Sequence, residues 1–434
     1  MNNIKTLSGW GLYPKIDSHV YEIKNYEENL NYLSYNFIAR GNGRSYGDSS
    51  LGRNVISTLN LNQITNFDKK NGKIVLQSGA LLSDLIKIIL PEGWFLPVSP
   101  GTKFISIGGA VASDIHGKNH HLVGCISNFV THLKIFLPGQ GNIYCDNLKN
   151  NELFRNTLGG MGLTGLILEV GLNLLKIKST FIEQTTIKSK NLRETFDVME
   201  QNLNAEYSVC WLDTSAEKHN MGRGLIYLGK HSIDEKMNIK SIKQISINKK
   251  FIPKLCNNYL FRILNFLFYS KNLFKIKKEK IYFDDYFYPL DKIYNWNYFY
   301  GNKGFLQYQF CIPFNSSYDG ILEVLKEIQK TNNVSFTSVL KLMGNQNQNT
   351  LSFPFKGYTL ALDFPRSKNI FKLLDKLDQI VIKYNGKVYL TKDSRLKRDS
   401  FIKMYKNYKI FTEFRKNYNL LDKIKSNQSQ RLEI

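Results

Sequence analysis

Apolar and polar positions alternate in short runs through the first 175 or so residues, and glycines separate the runs. Asn36–Arg40 is a short apolar run ending in a glycine turn, which predicts a strand, and Lys73–Ser78 predicts a second. Leu81–Leu90 carries apolar residues at helical spacing and stops at Pro91, which cannot continue a helix. Glycine pairs at Gly108–Gly109 and Gly159–Gly160 break the next stretch before an apolar strand at Leu166–Val170. Residues 176–300 follow no single period. From Phe305 the pattern is clear again. Phe305–Ile312 alternates as a strand and Tyr318–Lys330 has helical spacing. Val334–Leu342 and Tyr358–Phe364 predict strands, Asn369–Tyr384 a helix and Lys387–Leu390 a last strand. The order β-α-β-β-α-β is that of a ferredoxin-like split unit, an antiparallel sheet with helices on one face. No repeat or low-complexity tail is visible in the sequence.

At 434 residues, 42% of them hydrophobic, the chain is long enough for two cores. Five scattered cysteines (Cys125, Cys145, Cys210, Cys256, Cys311) form no C-x-x-C pair, which argues against a disulfide framework and fits a reducing compartment. The N-terminus lacks the apolar core of a secretory signal, and no run of about 18 uncharged apolar residues exists. A cytoplasmic protein is expected. The net charge is +23, and between Lys236 and Lys280 twelve Lys or Arg face one acid, Glu279. Such an excess points to nucleic acid, an anionic membrane or a phosphorylated substrate, or to nothing beyond codon bias.

Three glycine-rich loops carry the chemistry. Arg40-Gly41-Asn42-Gly43-Arg44-Ser45-Tyr46-Gly47-Asp48 follows a predicted strand and can turn successive N–H groups toward an anion. Its spacing is neither G-x-G-x-x-G nor that of a P-loop. Pro100-Gly101-Thr102 precedes Ser106-Ile107-Gly108-Gly109 and continues to Ser113-Asp114-Ile115-His116-Gly117-Lys118-Asn119-His120-His121. The small residues there let a flat ring or a diphosphate lie on the backbone. Zinc is disfavoured, because His120 and His121 are adjacent and no third ligand is spaced for it; no metal is expected. Gly159–Gly165 is the third loop. Three such loops call for a large extended cofactor, and a dinucleotide with a flat ring fits. A nucleic-acid-binding role would leave all three unexplained.

These motifs resemble the FAD-binding half of the vanillyl-alcohol-oxidase-type (PCMH-type) flavoproteins. Gly304–Phe310, Leu351–Pro354, Asp363–Pro365, Thr391–Arg395 and Arg431–Glu433 extend the resemblance, within that superfamily, to the decaprenylphosphoryl-ribose 2′-oxidase branch. The resemblance implies an α+β fold. A two-lobed FAD-binding domain would span residues 1–175 and a substrate domain 176–390, with 391–434 returning to the first. It implies non-covalent FAD held by Arg40–Asp48, Gly101, Ser106–Gly109, Ser113, Asp114, Ile115 and His116, with Ile167 and Tyr389 approaching from elsewhere. Lys392, Tyr46 and His116 would serve catalysis, Lys392 as a cation stabilising the reduced flavin or holding a hydroxyl. Lys118, Gln307, Gln309 and Lys392 would line the sugar site. The implied reaction oxidises the 2′-hydroxyl of a lipid-linked ribose phosphate in cell-envelope polysaccharide synthesis, with a short-chain reductase partner. An aldonolactone or sugar-alcohol oxidase acting on a soluble substrate is the alternative. Three positions depart from the branch: Ala361 replaces a cysteine, Thr359 an asparagine and Phe287 a tyrosine. The basic aromatic segment Asn257–Lys280, with Arg262, Lys271, Lys275, Lys277 and Lys278, suits an anionic membrane surface, peripheral on the inner membrane face.

Overall fold

The computed structural model describes residues 4–24, 30, 36–234, 237, 239–240, 244–246 and 258–434. Lys236, Lys243, Lys249, Lys250, Lys254 and Cys256 lie outside these residues. The N-terminal part holds a four-stranded and a five-stranded sheet, with a short two-stranded pair, Trp94–Phe95 and Leu175–Lys176, beside them. In the first, Ile4–Ser8 pairs antiparallel with Lys15–Glu22, which runs parallel to Asn54–Ser57, itself parallel to Ile38–Arg40. The second has five antiparallel strands in the order Ile64–Asp68, Lys73–Gln77, Leu166–Asn173, Val130–Leu137, Gly141–Asp146. The helix Leu82–Ile89 buries Leu82, Leu85, Ile86 and Ile89, an i, i+3, i+4, i+7 stripe, and passes through Pro91 into a 3₁₀ turn.

Residues 181–388 build an eight-stranded sheet in which every pair is antiparallel. Half of it is the predicted split unit: Phe305–Pro313, helix Ser317–Lys330, Val339–Met343, Gly357–Pro365, helix Lys368–Lys383 and Lys387–Val388. The second strand is shorter than the sequence indicates, because residues 334–338 leave the ladder to bond the neighbouring segment; Ser335 N reaches Thr214 Oγ1 and Trp211 Nε1 reaches Phe336 O. The other half repeats the same strand order with Phe181–Ser189, helix Leu192–Gln201, Tyr207–Leu212, Gly224–His231 and the edge strand Ile276–Tyr282. Tyr207–Leu212 and Val339–Met343 join the halves. The stretch that lacks a period in sequence is therefore a second copy of the unit.

The last 40 residues pack back onto the N-terminal sheets. Phe37 bridges to Ile424, and the fully buried Arg415 donates to the carbonyls of Leu163, Leu420, Ile424 and Ile434. Arg431 donates to Asp48 Oδ1 at 2.8 Å and to Asp393 Oδ2 at 2.9 Å, and both carboxylates are buried. Among the described residues no helix is long and apolar enough to cross a membrane.

Arg431→Met should lower stability by about 3–5 kcal/mol, because it strands two buried carboxylates. Adding Asp48→Asn and Asp393→Asn should restore part of that loss. Denaturant midpoints of the single and triple variants check both steps; a triple variant weaker than the single would refute the assignment.

Candidate active site

The glycine loops and the sheet face meet at one cavity of about 310 Å³. Register decides which side chains of the sheet line it. Gln307 pairs with Asp363, Gln309 with Ala361, and Ala361 with Val339, so these residues fall on one face. Tyr308 points the other way and donates to Asp378 at 3.0 Å. The alternation of Phe305–Ile312 thus puts Gln307 and Gln309 on the cavity face.

Each glutamine is held by a second strand. Gln307 Nε2 donates to Asp363 Oδ1 at 2.7 Å, and the Thr337 hydroxyl donates to Asp363 Oδ2. Gln309 Nε2 donates to His116 Nε2 at 3.1 Å and to Thr359 Oγ1 at 3.1 Å. Thr359, expected from the sequence to depart from the family pattern, thus holds a glutamine of the wall. Burial, with Lys341, His120 and Lys392 nearby, holds His116 well below the usual histidine range, so its ring is neutral.

Lys392 follows the last strand and places Nζ 3.9 Å from the centroid of the Tyr46 ring. Burial lowers its pKa to about 7, against the pull of Asp363. Burial likewise lifts Asp363 to about 6 and lowers Lys341 to about 8. Tyr46 is pushed well above the usual phenol range, by burial first and Asp363 second. Asp363 and Lys341 line the cavity although sequence reasoning assigned them no role. Their signal was parity: Lys341 sits two residues from Val339, and Asp363 two from Ala361, in otherwise apolar strands.

On the loop side, Arg40, Gly41, Asn42, Gly43, Arg44, Ser45 and Tyr46 all line the cavity. Arg40 donates to Ser8 O at 2.7 Å, Asn42 to Phe104 O at 2.7 Å, and Arg44 stacks 3.9 Å over Trp10. Gly101, Ser106, Gly108, Gly109, Ser113, Ile115, His116, Ile167 and Tyr389 complete the brought-together set. Tyr389 donates to Ser113 O at 2.8 Å.

Five of the expected residues do not line the cavity. A Cβ on Gly47 would lie 1.6 Å from Asp393 O, so this glycine permits a backbone crossing. Asp48 is taken by Arg431, and Ile107 is core. Asp114 is buried and accepts from Asn347 at 2.6 Å, Asn349 at 3.1 Å and Ser352 at 2.7 Å, which makes it a loop organiser. Lys118 turns to the Tyr286 carbonyl, and burial lowers its pKa to about 7. His120 and His121 diverge: His120 Nδ1 accepts from Gly344 N at 2.9 Å, while His121 Nε2 lies 2.9 Å from Ala205 O.

The lining fits a large cofactor with polar edges. Arg44 Nε, Ser78 Oγ and His116 Nδ1 are buried, line this cavity and have no partner within the protein. A Cβ at Gly101 would meet nothing within 4 Å, so the backbone there is open to a ligand. A Cβ at Gly41 would lie 1.9 Å from Ser106 Oγ, which fixes how closely the two loops approach.

Residues 27–145 match the FAD binding domain family. The chain is 31% identical over 412 residues to decaprenylphosphoryl-beta-D-ribose oxidase of Mycolicibacterium smegmatis, covering 92% of this chain and 89% of that protein. It is 30% identical over 161 residues to a D-lactate dehydrogenase of Anaerostipes hadrus, covering 36% of this chain and 34% of that one. To L-gulonolactone oxidase of Scyliorhinus torazame it is 28% identical over 133 residues, 30% of either chain. The lactone oxidase thus shares only a partial match, whereas the first relative spans both the glycine loops and the sheet. The protein is an FAD-dependent oxidoreductase, and the chain belongs to the decaprenylphosphoryl-β-D-ribose oxidase family.

Proposed function

We propose that the protein oxidises the 2′-hydroxyl of a polyprenyl-phosphoryl-ribose-like sugar to the 2′-keto sugar. The observation that carries this reading is the wall of the cavity, where Gln307, Asp363, Lys341 and Lys392 offer several hydrogen-bonding groups beside the buried face of Tyr46. Such a wall suits a polyhydroxylated substrate with an anionic group. When bound, FAD would supply the two-electron oxidant that takes the hydride of the carbinol carbon, while the hydroxyl proton passes to water or to a basic group of the site. The chain's own residues bind and orient. Lys392, as an ammonium, donates to the reacting oxygen or balances negative charge beside it. Asp363, as a carboxylate, keeps the Gln307 amide in one orientation and favours the charged form of Lys392. The two lobes of the FAD domain, 1–175, close on the cofactor from one side, the substrate domain, 176–390, covers the other, and 391–434 completes the first. A keto product needs a separate reductase, and a short-chain enzyme is the partner that fits.

Lys392→Ala should slow reduction of FAD by substrate about 100- to 1000-fold, the loss of one preorganised donor, without changing the denaturation midpoint by more than the usual cost of a core truncation. Stopped-flow bleaching of the flavin band measures it, and near-normal reduction would remove Lys392 from the site.

The two titrations give a bell in kcat/KM. Activity needs the Asp363 carboxylate, so it falls as pH drops through about 6; it needs the Lys392 ammonium, so it falls again as pH rises through about 7. Asp363→Asn should flatten the acid limb and move the alkaline limb to lower pH, because the carboxylate no longer favours the Lys392 ammonium. A profile that keeps rising above pH 8 would make Lys392 a base instead.

Non-covalent FAD is the third expectation. Acid precipitation of the yellow protein should leave the flavin in the supernatant; flavin in the pellet would mark His116, or another residue, as a covalent anchor.

A further inference from the structure

Helix Asn258–Ser270 is apolar on both sides. One face enters the protein: Phe261 is fully buried, with its ring near Tyr300 and Phe336, and Phe268 packs edge-on against Trp211. Asn265 anchors the same face by donating to Asp213 at 3.0 Å. The other face is open. Tyr259 is 75% exposed, Phe266 57%, Leu267 56% and Ile263 40%. The turn that follows adds Leu273 at 84% and Phe274 at 71%. A helix apolar all round is normally buried all round. Here half of it faces water, next to a turn carrying two more large apolar side chains.

The charges around this face are not evenly cationic. Arg262 pairs with Glu217, Lys275 with Glu194, Lys277 with Glu279 and Lys280 with Asp234. Lys277, Lys278 and Lys280 belong to the edge strand Ile276–Tyr282, where lysines also guard an open edge. Lys271 and Lys275 flank the Leu273–Phe274 tip. The segment therefore presents apolar residues first and a basic rim second, the arrangement of an interfacial helix.

We propose that the exposed face of helix Asn258–Ser270 and the Leu273–Phe274 tip dock on an anionic bilayer. The position of the helix links this surface to the cavity. Phe261 meets Tyr300 at 6.0 Å, Tyr300 stacks on Phe305 at 4.3 Å, and Phe305 meets Tyr46 of the cavity wall at 5.5 Å. A lipid-linked sugar held with its tail in the bilayer has its head group delivered on that side. This use of the surface rests on the proposed substrate; the docking does not, and the two fail separately.

The test is sedimentation of the flavin-loaded protein with vesicles of equimolar phosphatidylglycerol and phosphatidylcholine. Wild type should co-sediment, more weakly with pure phosphatidylcholine, and salt should release it only in part because apolar side chains also insert. Phe266→Ser with Leu267→Ser and Phe274→Ser should lower the partition coefficient by about tenfold or more. Lys271→Glu with Lys275→Glu should lower it on the anionic vesicles and leave the neutral ones unchanged. All variants should keep the flavin spectrum and wild-type oxidation of a short-chain, water-soluble substrate. The proposal is overturned if wild type stays in the supernatant, if the triple-serine variant binds as wild type does, or if the face mediates a dimer that the triple-serine variant abolishes while vesicles go unbound. Vesicle binding by a protein that oxidises no ribosyl phosphate would sink the substrate and keep the docking.

Discussion

The half-buried guanidinium of Arg431 between the buried carboxylates of Asp48 and Asp393 is the interaction on which the site depends. Asp48 ends the first glycine loop, two residues after Tyr46, and Asp393 directly follows Lys392. By holding both carboxylates, one arginine near the end of the chain fixes two segments more than 340 residues apart in sequence. The backbones complete the clamp, with Tyr46 N donating to Thr391 O at 3.1 Å and Gly47 lying against Asp393 O. Lys392 over the Tyr46 ring is the outcome. Neither residue reaches that geometry from its own element.

That clamp makes an expensive electrostatic arrangement tolerable. Two amines, Lys341 and Lys392, and one carboxylate, Asp363, are taken out of water, each displaced toward its neutral form by burial. Lys341 opposes the charge of Lys392, while Asp363 favours it. Groups poised this way near neutrality mark sites that handle charge, since a purely structural wall would be apolar at lower cost. An anionic cofactor and an anionic substrate would each favour the protonated amines.

Much of this was legible in sequence, for physical reasons that also explain what was not. Glycine loops announce themselves because close backbone approach excludes side chains, as at Gly41 against Ser106. The second split unit was legible because Phe305–Pro313 and Gly357–Pro365 carry polar residues on the cavity face only. The first copy was hidden. Every residue of Tyr207–Leu212 is buried, so the strand has no alternation to read. Ile276–Tyr282 is an edge strand whose exposed lysines read as a basic surface run. Lys341 and Asp363 were passed over because single polar residues in apolar strands look like noise until register puts them on one wall. Lys118 was misplaced for the opposite reason: its motif is loop-borne, and no periodicity fixes where a loop side chain turns.

Of the three departures expected from the sequence, Ala361 lines the cavity, Thr359 bonds Gln309 of its wall, Phe287 lies in the core, and none touches the clamp. Thr359 accepts from Gln309 and donates to Phe310 O at 2.8 Å, so a shorter side chain still keeps the Gln309 amide on His116. Ala361 lines the cavity between Gln309 and Val339 and opens space where a larger side chain would stand. Phe287 is fully buried against Phe95 and Tyr207, where a phenolic hydroxyl would need a partner. Arg431, Asp48, Asp393 and Lys392 are untouched by these changes. Two of these three positions fall beside Gln309 of the cavity wall, while the clamp and the charged group it positions keep their places.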